Sequence, residues 1–248
     1  MLNEMPPMRT SAGGYPRGGL HGQIVHAIGR QILGGKIRPG ELLPVQPGLP
    51  ASRTVLREAI KVLAAKGLVE SRPKTGTRVR PQHAWNLLDP DVLAWQQDGA
   101  SPPAFLKKLT EVRLIVEPAA AELAAQRARA AELQTLEAAY ADMESALRGR
   151  AMDFEAFDRA DIRFHRGIME ACGNDLLQQM SQFVYSALLV SFAATSRLPR
   201  QAKASLPRHR AILDAIRDRR AQGAGQAMRT LVRSTGRAIK GLRPRRHP

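Results

Sequence analysis

The sequence predicts a mainly α chain in two parts. A first part ends in a short helix and a small β wing, and a second part is an all-α bundle of six or seven helices. Three observations carry this. From Ser101 onward apolar residues recur with a helical period, and no stretch alternates as a strand does. Between Ser52 and Val79 a helical pattern stops at a glycine and gives way to two β-prone pieces joined by a turn. Between these two regions lie residues 81–100, a linker opened by Pro81 and closed by Gly99. At 248 residues the chain is long enough for two modest domains, each with its own core.

Taken in order, residues 1–20 hold Pro6, Pro7, Gly13, Gly14, Pro16, Gly18 and Gly19, too many breakers for a packed element. They predict a mobile arm. Residues 23–33 read as an amphipathic helix with Ile24, Ala27, Ile28 and Ile32 inward, stopping at Gly34-Gly35. Pro44, Pro47, Gly48 and Pro50 then exclude a full helix, because each proline removes a donor and collides with the preceding turn. The helix after Ser52 presents Leu56, Ala59, Ile60 and Leu63 on one face and Arg53, Arg57 and Lys61, four residues apart, along its shoulder. Gly67 ends it in a left-handed conformation. Leu68-Val69 and 77–79 form the wing strands around a turn holding Arg72, Pro73, Lys74 and Gly76. In the linker, Trp85, Leu87, Leu88, Val92, Leu93 and Trp95 predict a packed connecting helix with Asp89 as N-cap before Pro90. Helices follow near 103–127 with a bend at Pro118, then 130–148, 153–171, 174–195, 205–219 and 222–241. Gly149, Gly173-Asn174 and Pro207 punctuate them, and 242–248 form a basic tail.

The formal charge is +16, and its placement is informative. Residues 1–80 hold 13 Lys/Arg against 4 Asp/Glu, whereas 81–238 hold 21 against 18. A basic first third beside a near-neutral remainder is expected when one domain meets phosphate. No apolar run reaches membrane-spanning length and the first twenty residues lack a signal-peptide core, which predicts a cytoplasmic protein. One cysteine, Cys172, excludes an internal disulfide and a cysteine-cluster metal site.

The runs Ser52-Arg53-Thr54, Arg57-Glu58-Ala59, Ala65-Lys66-Gly67-Leu68-Val69-Glu70 and Lys74-Thr75-Gly76-Thr77 resemble the winged helix-turn-helix of GntR-type bacterial transcription regulators. Residues 23–40 resemble that family's first helix and following turn, so the likeness covers most of 21–80. It implies DNA contacts from Ser52, Arg53, Thr54 and Arg57 on a recognition helix and from Lys74, Thr75 and Gly76 on the wing. The departure lies at Pro44 to Ala51, where the family carries another helix and an arginine often used on DNA. From residue 101 to 241 the order of helices resembles the effector domain of the FadR branch, called FCD. Residues 110–118, 156–165, Gly173-Asn174 and 209–216 carry that likeness. With the 85–95 segment, it points to repressors of galactonate and related sugar-acid operons. This implies a homodimer on a palindromic operator, released by a small carboxylic acid.

Asp161 and His165, four apart, share a helix face otherwise marked by Phe154, Phe157, Phe164, Ile168 and Cys172. A carboxylate and an imidazole pointing into a bundle cost several kcal/mol unless paired or metal-bound. His209 stands near Pro207 on a helix whose Ile212, Leu213 and Ile216 face inward, and Arg113 sits among Val112, Leu114, Ile115 and Val116. Asp161, His165 and His209 are the candidate ligands of a divalent metal such as Zn, Ni or Mn. With Arg113 they are also the candidate contacts of the effector, Arg113 clasping its carboxylate. The resemblance implies a third histidine in the last helix, where Leu231 stands, so direct binding of the acid without metal stays open. Two other readings stay open as well. One is a sensor that has lost DNA binding through the 44–51 departure. The other is a metal-dependent enzyme with Glu117 or Glu170 as general base, disfavoured by the lack of any nucleophile constellation, phosphate loop or cofactor motif.

Overall fold

The computed structural model describes residues 14–44, 52–97, 102–148, 152–181, 183–184, 188–189 and 199–240. The chain divides into two compact units, Met1–Pro102 and Pro103–Pro248.

The first unit opens with α1 (Gly19–Leu33), ended by Gly34 and by Gly35 at φ 75°. This helix starts earlier than its apolar pattern requires, and Tyr15, at the end of the expected arm, is docked. Its N–H donates to Asp91 Oδ2 at 2.8 Å, and its carbonyl lies 3.0 Å from His26 Nε2. Helix α2 (Arg53–Ala65) is capped by Ser52, whose hydroxyl accepts from Val55 N at 3.3 Å. Gly67 adopts φ +76°, and a Cβ there would stand 2.4 Å from the Ala84 carbonyl, so glycine is required twice over. Strands β1 (Val69–Arg72) and β2 (Gly76–Val79) pair antiparallel, Val69 opposite Val79 and Arg72 opposite Gly76. Lys74 at φ 65° and Gly76 at φ 88° close the turn. Residues 40–43 run along the free edge of β2, Leu43 N donating to Thr77 O and Val79 N to Glu41 O. The core gathers Ile24, Val25, Ile28 and Ile32 of α1, Ala59 and Leu63 of α2, Leu68, Val69, Val79, and Trp85, Val92 and Trp95. Helix α3 (Pro90–Gln97) is capped by Asp89, which accepts from Asp91 N at 3.0 Å and Val92 N at 3.2 Å. The tryptophan-rich segment is thus part of this unit's core. Leu87 and Leu88, expected inside, are exposed because the chain turns outward between Trp85 and the cap. The interrupted stretch Pro44 to Ala51 lies outside the described residues beyond Pro44, as do residues 1–13 of the arm and the tail at 242–248.

The second unit consists of helices alone among its described residues: α4 (Pro102–Arg127), α5 (Ala130–Ala146), α6 (Phe154–Ala171), the short α7 (Asp175–Gln179), α8 (Pro199–Arg217) and α9 (Ala221–Lys240). The expected 174–195 helix is interrupted by a turn at Met180, where α7 ends; helical residues recur at 181, 183–184 and 188–189, and residues 182, 185–187, 190–195 and Gly149 lie outside the described residues. Helix α5 packs chiefly on α6, and α8 on α9. Along α4, Leu106, Leu109, Arg113, Val116, Glu117, Ala120, Ala121 and Ala124 are buried at helical spacing, so Arg113 and Glu117 belong to the inward stripe. Helix α8 differs from the expected start at Pro207. It begins at Pro199 and carries Pro207 inside, at the cost of one backbone hydrogen bond. Two arginines cap neighbouring helices: Arg127 donates to the Cys172 and Gly173 carbonyls after α6, and Arg219 to Ala125 and Ala128 after α4. No helix among the described residues is long and apolar enough to cross a membrane.

Candidate functional site

Three helices of the second unit converge on one polar cluster in an apolar setting. Asp161 and His165 come from α6, His209 from α8, and Arg113 with Glu117 from α4. All five are at most 6% exposed. His209 Nε2 lies 2.8 Å from Asp161 Oδ1, and His165 Nε2 lies 3.2 Å from the same oxygen. The two imidazole planes stand at 87° with centroids 5.6 Å apart. Arg113 reaches Glu117 through Nε at 2.5 Å and Nη2 at 3.4 Å. Glu117 Oε2 in turn approaches His165 Nδ1 to 2.7 Å, an ion-pair contact whose angle departs from that of a hydrogen bond.

Glu117, one turn along α4, gives Arg113 an anion from the chain itself. Glu117, a general base only in the enzyme reading, is a structural member of the cluster. Its signal was present as the i, i+4 spacing from Arg113, which puts both on one face.

The hydrogen-bonding roles bear on what the cluster can hold. His209 Nδ1 lies 3.1 Å from the Ser205 carbonyl, which can only accept, so Nδ1 carries the proton. Its Nε2 then directs a lone pair at a carboxylate oxygen unless a second proton or a cation stands between them. His165 has a carboxylate oxygen near each ring nitrogen and faces the same demand. Burial opposes charge on His165, but Glu117 and Asp161 outweigh it and raise its pKa to about 9. Burial likewise pushes Glu117 up, and Arg113 with His165 bring it down to about 2. Asp161 is held below the usual carboxylate range despite its burial, chiefly by His209 and His165. A cation at the meeting point would answer the whole arrangement. The candidate donor atoms of Asp161, His165 and His209 all lie within 4.8 Å of one another. Asp161 Oδ1 stands 2.8 and 3.2 Å from the two imidazole nitrogens, near the roughly 3 Å that separates neighbouring ligands held about 2.0–2.2 Å from a metal.

The cluster forms one wall of a cavity of about 60 Å³. At about 10–15 Å³ per water by this measure, it holds a few waters, enough for the polar head of a small ligand. Phe154, Phe157 and Leu188 supply apolar wall, and Gln201, Ser205, Ser234 and Thr235 supply hydrogen-bonding groups. Leu231 of α9 also lines the cavity, 2% exposed, and gives no ligand. Asp158, one turn before Asp161, lines it too, and burial with the nearby Asp161 raises its pKa to about 7.

In the first unit, Ser52, Arg53, Thr54 and Arg57 are exposed on α2, as are Lys74, Thr75 and Gly76 at the wing turn. Among the described residues Arg57 makes a loose contact with Glu58 at 3.7 Å, its side chain 72% exposed. Lys61 pairs with Glu58 at 3.0 Å. Exposed pairs of this kind contribute little and leave the cations available for phosphate. Leu56 and Ile60, expected inward, are half-buried beside a groove shared with Ile28, Ile37, Leu43 and Pro44.

Both units have counterparts among known proteins. The profile for bacterial regulatory proteins of the gntR family matches residues 20–79, and that of the FCD domain matches 108–234. The chain is 36% identical over 229 residues to the galactonate operon transcriptional repressor of Escherichia coli K12, covering 89% of this chain and 96% of that protein. It is 24% identical to the Glc operon transcriptional activator of the same organism, over 88% of each. Among solved structures, one described as Lar, which controls the agr system of Listeria monocytogenes, superposes with a TM-score of 0.65 at 17% identity, covering 91% of this chain and 99% of that one.

Proposed function

Because the chain belongs to the GntR family of bacterial regulatory proteins and carries an FCD domain, we propose that it is a repressor of a sugar-acid operon, released when the acid enters the α4–α6–α8–α9 cavity. That it is a ligand-responsive DNA-binding transcription regulator and not an enzyme follows from the family itself. The finer reading rests on one observation above the others: a small cavity in which histidines, an acid, an arginine and several hydroxyls converge. Such a polar set suits a carboxylate flanked by hydroxyls, with Phe154, Phe157 and Leu188 against its carbon chain.

In this reading α2 enters the major groove with Arg53 and Arg57 near base edges and phosphates, Ser52 and Thr54 at its start, and Lys74, Thr75 and Gly76 on adjacent backbone. Asp161, His165 and His209 would hold the divalent metal, which would supply a Lewis-acidic attachment point for effector oxygens. Ser205 holds His209 in the tautomer whose Nε2 faces the centre, and Glu117 steadies His165 from behind. Leu231 leaves the α9 side without a further ligand, so room there goes to the effector. Arg113, though paired with Glu117, lines the cavity and offers the rest of its guanidinium to the carboxylate.

The test is release of DNA. A duplex selected from a random pool by the wild-type protein would be titrated in the presence of aldonic acids, lactate and a medium-chain fatty acid. Six-carbon aldonates should release it, and Arg113→Ala should still bind the duplex but ignore them. Release by the fatty acid alone would reject the sugar-acid reading.

A further inference from the structure

Lys66 is a buried charge that neither the cavity nor the DNA-facing surface uses. It ends α2, is 8% exposed, and its Nζ stands 2.9 Å from both carboxylate oxygens of Asp89 and 2.7 Å from Oδ2 of Asp91. Its carbonyl accepts from Asn86 N at 3.0 Å, and the Trp95 ring lies 5.9 Å from the ammonium. Asp89 is meanwhile the cap of α3, and Asp91 Oδ2 also accepts from Tyr15 N. One ammonium therefore joins the end of the DNA-facing helix to the start of the last helix before the chain leaves this unit.

Burying an ammonium with two carboxylates is an inefficient way to gain stability, because desolvation offsets most of the attraction and apolar groups of similar volume often do better. Ion pairs do supply direction, which non-directional apolar contact lacks. We propose that the Lys66–Asp89–Asp91 clamp is a positioning device that sets the tilt of α2 on DNA; this rests on α2 being the recognition helix. The lever is long enough to matter. Thirteen residues span about 20 Å, so a tilt of about 10° pivoting at Lys66 shifts Arg53 by roughly 3 Å, more than a hydrogen bond tolerates.

The test compares Lys66→Met and Asp91→Asn with wild type on the selected duplex and on an unrelated duplex, at several salt concentrations and well below the melting midpoint. Both variants should bind the selected duplex about tenfold more weakly while binding the unrelated duplex within about twofold of wild type, since non-specific binding is a matter of charge. Asp91→Asn is the sharper variant, because it makes the protein more positive and plain electrostatics would tighten binding. Equal or tighter binding of the selected duplex by Asp91→Asn overturns the proposal. So does a salt slope for Lys66→Met shallower by about 0.9, which would make Lys66 a phosphate contact. If Lys66→Met does not fold, Asp91→Asn decides alone. The dependence of α2 on its DNA role is controlled separately by Arg57→Ala: if that variant binds normally, the recognition-helix premise has failed, not the clamp.

Discussion

Replacing Glu117 with glutamine would leave the Arg113 guanidinium buried with a weaker partner and turn an amide toward His165 Nδ1. Breaking a buried pair by changing one member costs about 3–5 kcal/mol, and glutamine, which keeps one acceptor, belongs near the lower end. Urea unfolding of Glu117→Gln should therefore show a loss of about 3 kcal/mol; unchanged stability would mean that Arg113 needs no anion. Nothing comparable is expected at Arg166 and Glu170, four apart on α6 but both about 40% exposed, where screening by water leaves a pair near zero. Two pairs with the same spacing thus differ in burial and in how closely they meet. At this scale the sequence showed which residues share a face, but not which faces meet. Asp161, His165 and His209 could be named because polar groups on apolar stripes stand out, while Ser205, Ser234 and Thr235 carry no such contrast.

Two helices carry predictions of their own. In α1, Gly29 is mid-helix, where alanine would gain about 1 kcal/mol in propensity. A Cβ there would sit 2.5 Å from the Trp95 ring, however, and forcing such an overlap costs about 1–3 kcal/mol. The contact wins because Trp95 is also fixed by its Nε1 donating to His26 Nδ1 at 3.0 Å. Gly29→Ala should lower the melting midpoint of the first unit, and a raised midpoint would show that Trp95 yields easily. In α2, Arg57→Ala should retain full helicity by circular dichroism, weaken operator binding, and flatten the dependence of log affinity on log salt by about 0.9 if the residue meets one phosphate. Binding equal to wild type at every salt concentration would mean that the reading face is elsewhere. Helix identities and most ends were legible because caps and glycines are local signals: Ser52, Asp89, Asp153 and Asn174 all accept from the first turns of their helices. Pro207 signals a helix start only as a preference, and a long helix packed on α9 accommodates it inside.

For the whole molecule, regulators of this family are typically dimers, and we propose that two symmetric copies, each presenting a single α2, meet the operator together. We expect a solution mass near twice 27.2 kDa by sedimentation, and half-sites in the selected duplex about one helical turn or a multiple apart. A monomer bound to an unsymmetric site would refute this. Charge distribution is consistent with the division of labour, since the Lys/Arg surplus before residue 81 is three times that of 81–238.

Local chemistry is what the sequence determined unaided: helices from their period, the wing from its turn residues, the exposed basic shoulder of α2 from its four-residue spacing, and the family from short runs that carry all three. These depend on neighbours a few positions apart, which the chain displays directly. Only the tertiary structure decided that Glu117 of α4 meets His165 of α6, that His209 crosses 48 positions to reach Asp161, that Trp95 closes on Gly29, and that Lys66 is held by Asp89 and Asp91. Each of these is a pairing between helices, set by how buried stripes pack and by the cost of leaving a charge inside without a partner, and no local pattern encodes it.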